Sequence, residues 1–185
     1  MSYISGNVLD IGCGCTTLPD QLTSEQTYVG IERNQAILDF SSNNYPQHEF
    51  YLRDVDIERL GLGDRRFDTV VMSAIIEHLQ SPERVLGEVR SLLTLDGLLL
   101  ITTPSPFGDR VHRIGSRIGL FYNEAVAEHV TIFGQRELLN IATTCGYEVL
   151  RYHSFVMGMN QLIVCRSART IPDGEPAENP PEPPG

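Results

Sequence analysis

Asp10, Gly12, Gly14 and Glu32 are the residues whose types and spacing could do chemistry. Gly12 and Gly14 follow the apolar run Val8-Leu9, and a turn built from glycines lets backbone approach a ligand with no Cβ in the way. Peptide N–H groups of such a turn, and of the helix start beyond it, can face a carboxylate or another polar group. Glu32 ends the next apolar run, Tyr28-Val29-Gly30-Ile31. An acid about 20 residues past the first strand is where a βαβ unit holds a nucleotide ribose. The chemistry implied is the binding of a nucleoside-bearing cofactor. Cys13 and Cys15 form a C-x-C inside the turn. Zinc would want further ligands at defined spacing, none is evident, and no metal is expected.

The run Asp10-Ile11-Gly12-Cys13-Gly14-Cys15-Thr16 resembles the acid-x-Gly-x-Gly-x-Gly loop of class I S-adenosylmethionine-dependent methyltransferases. Thr16 stands where the third glycine normally falls, at a position that governs how closely loop and helix pack. The resemblance implies S-adenosyl-L-methionine as cofactor. Asp10, Gly12, Cys13 and Gly14 would meet its methionine end, and Glu32 with Arg33 its ribose. Asp54 and Val55, just past the third strand, match the family's adenine position. Ser73-Ala74-Ile75-Ile76-Glu77-His78-Leu79 resembles the E-H-[LV] segment of small-molecule methyltransferases, including those acting on quinone precursors. In that family the segment lines the space between sulfonium and substrate, which places Ser73 and Ile75 by the cofactor and His78 by the acceptor. Glu128-His129-Val130-Thr131-Ile132-Phe133 resembles the family's H-x-x-x-[FY] entry to the last helix, so His129 is a second candidate base. Members that methylate amino groups of nucleic-acid bases often carry Asn/Asp-Pro-Pro-aromatic after the fourth strand, and this chain does not.

The elements that must position these residues are legible in turn. Strands are expected at Val8–Ile11, Tyr28–Ile31, Glu49–Leu52, Phe67–Met72 and Leu98–Ile101. A short helix is expected at Leu18–Leu22, with Pro19 in its first turn. Asn34 caps a helix that carries Ala36, Ile37, Leu38 and Phe40 and ends at Asn43-Asn44. Ser81-Pro82-Glu83 reads as cap, N1 proline and first-turn acid. Val85, Leu86, Val89, Leu92 and Leu93 then make one buried helical face, and Asp96-Gly97 turns the chain into the next strand. A last helix over Leu138–Cys145 closes at Gly146, and strands Tyr147–Phe155 and Gln161–Cys165 form an antiparallel pair across a short turn. Strands alternating with helices predict an α/β fold. It is a doubly wound, Rossmann-like seven-stranded mixed sheet, parallel except for one strand near the C-terminus. The resemblance covers residues 6–167. Relatives carry one or two helices before the first strand. Only six residues precede it here, so another segment would have to cap the cofactor or the chain is a piece.

Residues 104–133 interrupt the alternation after the fifth strand and read as a lid or substrate insertion. Val111, Ile114, Ile118 and Phe121 repeat at helical spacing beside Arg110, Arg113 and Arg117. An apolar stripe next to a basic one suits a lid over an anionic or lipid-like substrate, a membrane-surface contact through 105–121, or a plain amphipathic helix packed on the sheet. The tail from Pro172 holds six of eleven prolines and four acids with no base, and residues 168–185 are expected to be disordered.

The chain has 185 residues, 41% of them apolar and 21% charged, which fits one domain, 1–167, with a core of its own. A net charge of −10 argues against a general nucleic-acid binder. The cysteines are too few and scattered for a disulfide framework, and the N-terminus is not a signal peptide, so a cytoplasmic location is expected. The sequence reads as a methyltransferase with a small-molecule acceptor, through oxygen. Two rivals stay open: a methyltransferase-like accessory module that does no catalysis, and a dinucleotide oxidoreductase, which would want glycine where Thr17 stands.

Overall fold

The computed structural model describes residues 3–110 and 131–168. Seven strands form one sheet: β1 (Asn7–Ile11), β2 (Thr27–Glu32), β3 (Glu49–Leu52), β4 (Phe67–Ser73), β5 (Leu93–Pro104), β6 (Tyr147–Phe155) and β7 (Asn160–Ser167). Their order is β3-β2-β1-β4-β5-β7-β6. β7 runs antiparallel to both neighbours, and the pairings from β3 across to β5 are parallel. The doubly wound mixed sheet expected from the sequence is therefore the fold. Val8, Leu9 and Ile11 are fully buried, as suits a central strand covered on both faces. The strand order reverses at β1, between β2 and β4, and such a switch point opens a crevice at the carboxyl ends of the strands. Gly12 and Gly14 follow β1 there.

Among the described residues, the α-helices that flank the sheet are α1 (Gln35–Asn44), α2 (Pro82–Leu92) and α3 (Gln135–Thr144), and a further helical turn begins at 106–110. The Asn34 side chain accepts from the Ala36 and Ile37 amides, which is the expected cap. Leu38 is buried but Phe40 is 56% exposed, because one turn of α1 cannot put both on the sheet side. Val85, Leu86, Val89 and Leu92 of α2 pack into the core as the period required. Ser81 precedes α2 without a side-chain cap bond, and Pro82 at N1 removes one of the first-turn amides that would lack a partner in the helix. Leu93 leaves the helix and pairs with Phe67 as the first residue of β5. Asp96-Gly97 is consequently an irregularity inside a long strand, not a turn. The expected helix after Thr17 is a 3-10 turn, Leu18–Gln21. Gly146 adopts φ 81 just past α3, the left-handed closure that glycine permits.

Of the 104–133 segment only its two stems fall among the described residues. Ser105 donates its hydroxyl to the Gly158 carbonyl at 2.6 Å, and its amide donates to Met159. Fully buried Gln161 donates to the carbonyls of Phe133 (2.6 Å) and Pro104 (3.3 Å), so one side chain holds both stems. The apolar and arginine stripes of 111–121, His129 and the 169–185 tail lie outside the described residues. No described helix is long and apolar enough to cross a membrane.

Candidate cofactor site

The glycine turn is fixed to β2. The Gly12 and Cys13 amides both donate to the Ile31 carbonyl, at 2.8 and 3.0 Å, and the Gly14 amide donates to Glu32 Oε2 at 3.1 Å. These N–H groups do not point outward to a ligand carboxylate, as the glycine pattern predicted, because they weld the turn to its neighbouring strand. Gly12 and Gly14 both adopt positive φ (69 and 56). A Cβ on Gly12 would come within 2.6 Å of Ile75 Cδ1, whereas one on Gly14 would meet nothing within 4 Å. The turn therefore gives a ligand space and shape more than donors. The Ser41 hydroxyl of α1 donates to the Gly14 carbonyl at 2.8 Å and holds the turn from the other side.

Two clefts meet at Gly12. The first, about 190 Å³, brings Glu32, Arg33, Asp54, Val55, Ile75 and His78 together. The second, about 470 Å³, is lined by Asp10, Cys13, Gly14, Thr16 and Ser73 among others. Every candidate named from the sequence except His129 thus lies on one bent groove along the carboxyl edge of the sheet.

Within the first cleft, Glu32 is nearly buried, at 8% exposed. Its Oε2 accepts from Gly14 and its Oε1 from the Asn34 amide at 2.9 Å. A carboxylate oxygen accepts more than one hydrogen bond, so both retain capacity toward the cleft. Asp54 opens a tight turn: its carbonyl accepts from Ile57 and Glu58, and its Oδ1 accepts from the Asp56 amide at 3.0 Å. The chain turns sharply out of β4 at Ala74, whose φ of 51 is rare for a residue with a side chain. That turn brings Ile75 over Gly12 and leads into a 3-10 turn, Ile76–His78.

Asp10 lies deeper, at 4% exposed. Its Oδ2 accepts from the Tyr28 hydroxyl at 2.8 Å and from the Thr16 hydroxyl at 3.4 Å. Burial pushes the Asp10 carboxyl up to about 6, the two hydroxyls lower it in part, and the Glu32 charge raises it again. Burial, with Asp10 and Glu32 nearby, pushes the Cys13 thiol up to about 12, so it is a packed neutral group and not a nucleophile. Burial and Asp10 likewise raise Tyr28, which stays a donor. Thr16 also accepts from the Leu18 amide at 3.0 Å. Its hydroxyl closes the loop by hydrogen bonding where a glycine would close it by shape.

Glu77 is 2% exposed and accepts from Thr103 at 3.0 Å, while its carbonyl accepts from the Thr131 amide. Burial raises its carboxyl. It braces the scaffold beside His78 and does not line either cleft. Nothing in the sequence marks Tyr28 as Asp10's partner, Ser41 behind Gly14, or Ala74's left-handed turn. A tyrosine in a strand, a serine in a helix and an alanine in a loop have no spacing signature for such roles.

The methyltransferase-domain family matches residues 4–152. The chain is 28% identical over 100 residues to a ubiquinone biosynthesis O-methyltransferase of Coxiella burnetii, covering 52% of this chain and 43% of the relative. It is 26% identical over 106 residues to a malonyl-(acyl-carrier protein) O-methyltransferase of Halalkalibacterium halodurans, covering 54% and 39%. The chain thus spans about two fifths of the length of these curated relatives. Among solved structures, it is similar to a Mesorhizobium loti S-adenosylmethionine-dependent methyltransferase at TM-score 0.72 and 16% identity, over 90% of this chain and 93% of that one. A complex of the Haloferax volcanii Trm112 methyltransferase activator with a methyltransferase gives TM-score 0.74 at 13% identity, over 89% and 83%. The glycines at the switch point and the carboxylate at the end of β2 fall within the matched residues 4–152. The chain belongs to the methyltransferase-domain family, and that membership implies S-adenosyl-L-methionine as its cofactor.

Proposed function

We propose that this chain transfers a methyl group from S-adenosylmethionine to the oxygen of a small-molecule acceptor. The observation that carries the reading is the bent groove, with Glu32 and Asp54 on one arm, Asp10 on the other and Gly12 at the corner. The residues present fit the cofactor. Glu32 is held by two amides and would accept from the ribose hydroxyls, and Asp54, whose Oδ1 is held by the Asp56 amide, would accept from the adenine amino group beside Val55. Asp10 would pair with the ammonium of the methionine end. Space opposite Gly14 admits that end of the ligand.

When bound, S-adenosylmethionine supplies a methyl group already activated on a sulfonium. The chain's work is then alignment, together with removal of one proton from the attacking oxygen. His78 stands on the wall of the first cleft and is the base that takes that proton. Oxygen as the acceptor atom rests on the two O-methyltransferase relatives, and a small molecule as its carrier on the ubiquinone-biosynthesis relative.

Calorimetry with S-adenosylhomocysteine, with NAD as control, tests the cofactor. Labelled methyl transfer to a panel of phenols, carboxylates and amines tests the acceptor. Binding of S-adenosylhomocysteine alone, followed by label on phenols or carboxylates, is the expected result. Label on amines only would overturn the oxygen assignment, and binding with no transfer would favour an accessory module. With an accepted substrate in hand, His78→Ala should cut turnover by about 10²–10⁴ while cofactor affinity stays within about twofold. Wild-type turnover in that variant from pH 6 to 8 would remove His78 as the base.

A further inference from the structure

We propose that Arg84 is a positioning residue that sets the adenine wall and thereby the preference for an amino over an oxo nucleobase. This rests on the cofactor reading above. Arg84 sits in the first turn of α2, outside the cleft, and reaches back under the loop that follows β3. Its Nη2 donates to the Val55 carbonyl and, at 2.9 Å, to the Asp56 carbonyl. Its Nη1 donates to the Glu58 carbonyl at 3.1 Å and to Glu88 Oε1 at 2.9 Å. Glu88 completes the clamp, because its Oε2 accepts from the Leu60 amide at 2.8 Å.

The loop needs such a clamp. Residues 54–58 make a single turn closed on the Asp54 carbonyl, and the carbonyls of Val55, Asp56 and Glu58 lie past its hydrogen-bonded start. Helical turns leave their last carbonyls without internal partners. A planar guanidinium offers several donors in a rigid fork, and here it serves three of those carbonyls from one side chain. The same loop is tied a second time, by the Gln80 amide donating to Asp56 Oδ1 at 2.8 Å. Gln80 lies two residues past His78. Arg84 and Asp56 therefore fasten the wall carrying Asp54 and Val55 to the element carrying His78. The carboxylate that reads the adenine edge is kept at a fixed distance from the acceptor side of the groove.

The consequence is a base-specific one. A loose loop would still admit the ligand, but Asp54 would no longer be held where an amino group and a carbonyl oxygen feel it differently. The test compares the affinity of the full chain for S-adenosylhomocysteine and for S-inosylhomocysteine, in which a carbonyl replaces the amino group. Arg84→Lys keeps the charge near Glu88, yet one ammonium cannot span three carbonyls. Arg84→Lys should weaken S-adenosylhomocysteine binding about tenfold and shrink the preference for it at least about fivefold. Arg84→Gln, read the same way, keeps the question open should either variant fold poorly. General loss of stability would weaken both ligands alike, so an unchanged preference in a folded variant overturns the role of Arg84. Absence of S-adenosylhomocysteine binding by the unsubstituted chain would overturn the cofactor reading instead, and this proposal with it.

Discussion

The two arms of the groove use the same chemical group in opposite ways. In the arm below β2 and β3, the carboxylates of Glu32 and Asp54 are held by backbone amides of Gly14, Asn34 and Asp56. Amide donors fix the orientation of a carboxylate. In the other arm Asp10 is buried, its Oδ2 accepts from the Tyr28 and Thr16 hydroxyls, and burial raises its carboxyl to about 6. In the proposed reading the first arm recognises neutral hydroxyl and amino groups by direction. The second is built to respond to charge, since a buried carboxylate gains most when a cation arrives. The second arm should therefore respond to pH near neutrality.

The largest break in this contrast is expected from Glu32→Ala. It removes the ribose acceptor and strands the Gly14 and Asn34 amides, so S-adenosylhomocysteine affinity should fall by about 1–3 kcal/mol. Unchanged calorimetric affinity in the folded variant would remove the ribose assignment.

Next in size is the pH response of Asp10. Affinity should weaken about tenfold as pH falls from 7 to 5, because the acid facing the ligand ammonium becomes protonated, and Asp10→Asn should abolish that dependence. Stability moves the other way. The folded carboxyl takes up its proton at about 6 against about 4 when unfolded, so its contribution is complete below pH 4 and is lost as pH rises through 6. Asp10→Asn, uncharged throughout, should be more stable than the parent above pH 6 by about 1–3 kcal/mol and no different below pH 4. Parallel melting-temperature profiles for the two proteins across that range would mean that Asp10 ionises normally.

The smallest effect sharpens the comparison. Thr16→Val keeps the shape of the side chain but removes the bond to Asp10 and the acceptor for Leu18. It should cost about 0.5–1.5 kcal/mol in thermal unfolding and move the Asp10 transition to higher pH. An unmoved transition would show that Tyr28 alone solvates the carboxylate.

Much of this was legible in the chain itself. Alternating apolar runs of two periods specified strands and helices, because burial on one or both faces leaves its period in the residues. Asp10, Gly12, Gly14 and Glu32 could be named together because their spacing is local to one βαβ unit, where the path between them is short and nearly fixed. Asn34 and Gly146 declared their ends of helices for the same reason: a cap is a contact within a few residues. Leu93 was misplaced on the helix because helical period continues past the point where sheet pairing takes over.

What the tertiary structure decided is how those groups are partnered. Tyr28 reaches Asp10 across 18 positions, Ser41 reaches Gly14 across 27, and Arg84 reaches Val55 across 29. Residue types with so many uses carry no sign of such partners until the strands are laid side by side. The glycine amides show the limit most plainly. Their positions were fixed by sequence, but their direction was set by the Ile31 carbonyl and the Glu32 carboxylate on the neighbouring strand. The environment of Asp10, and with it the pH at which the carboxyl changes charge, exists only once the sheet has closed around it and excluded water.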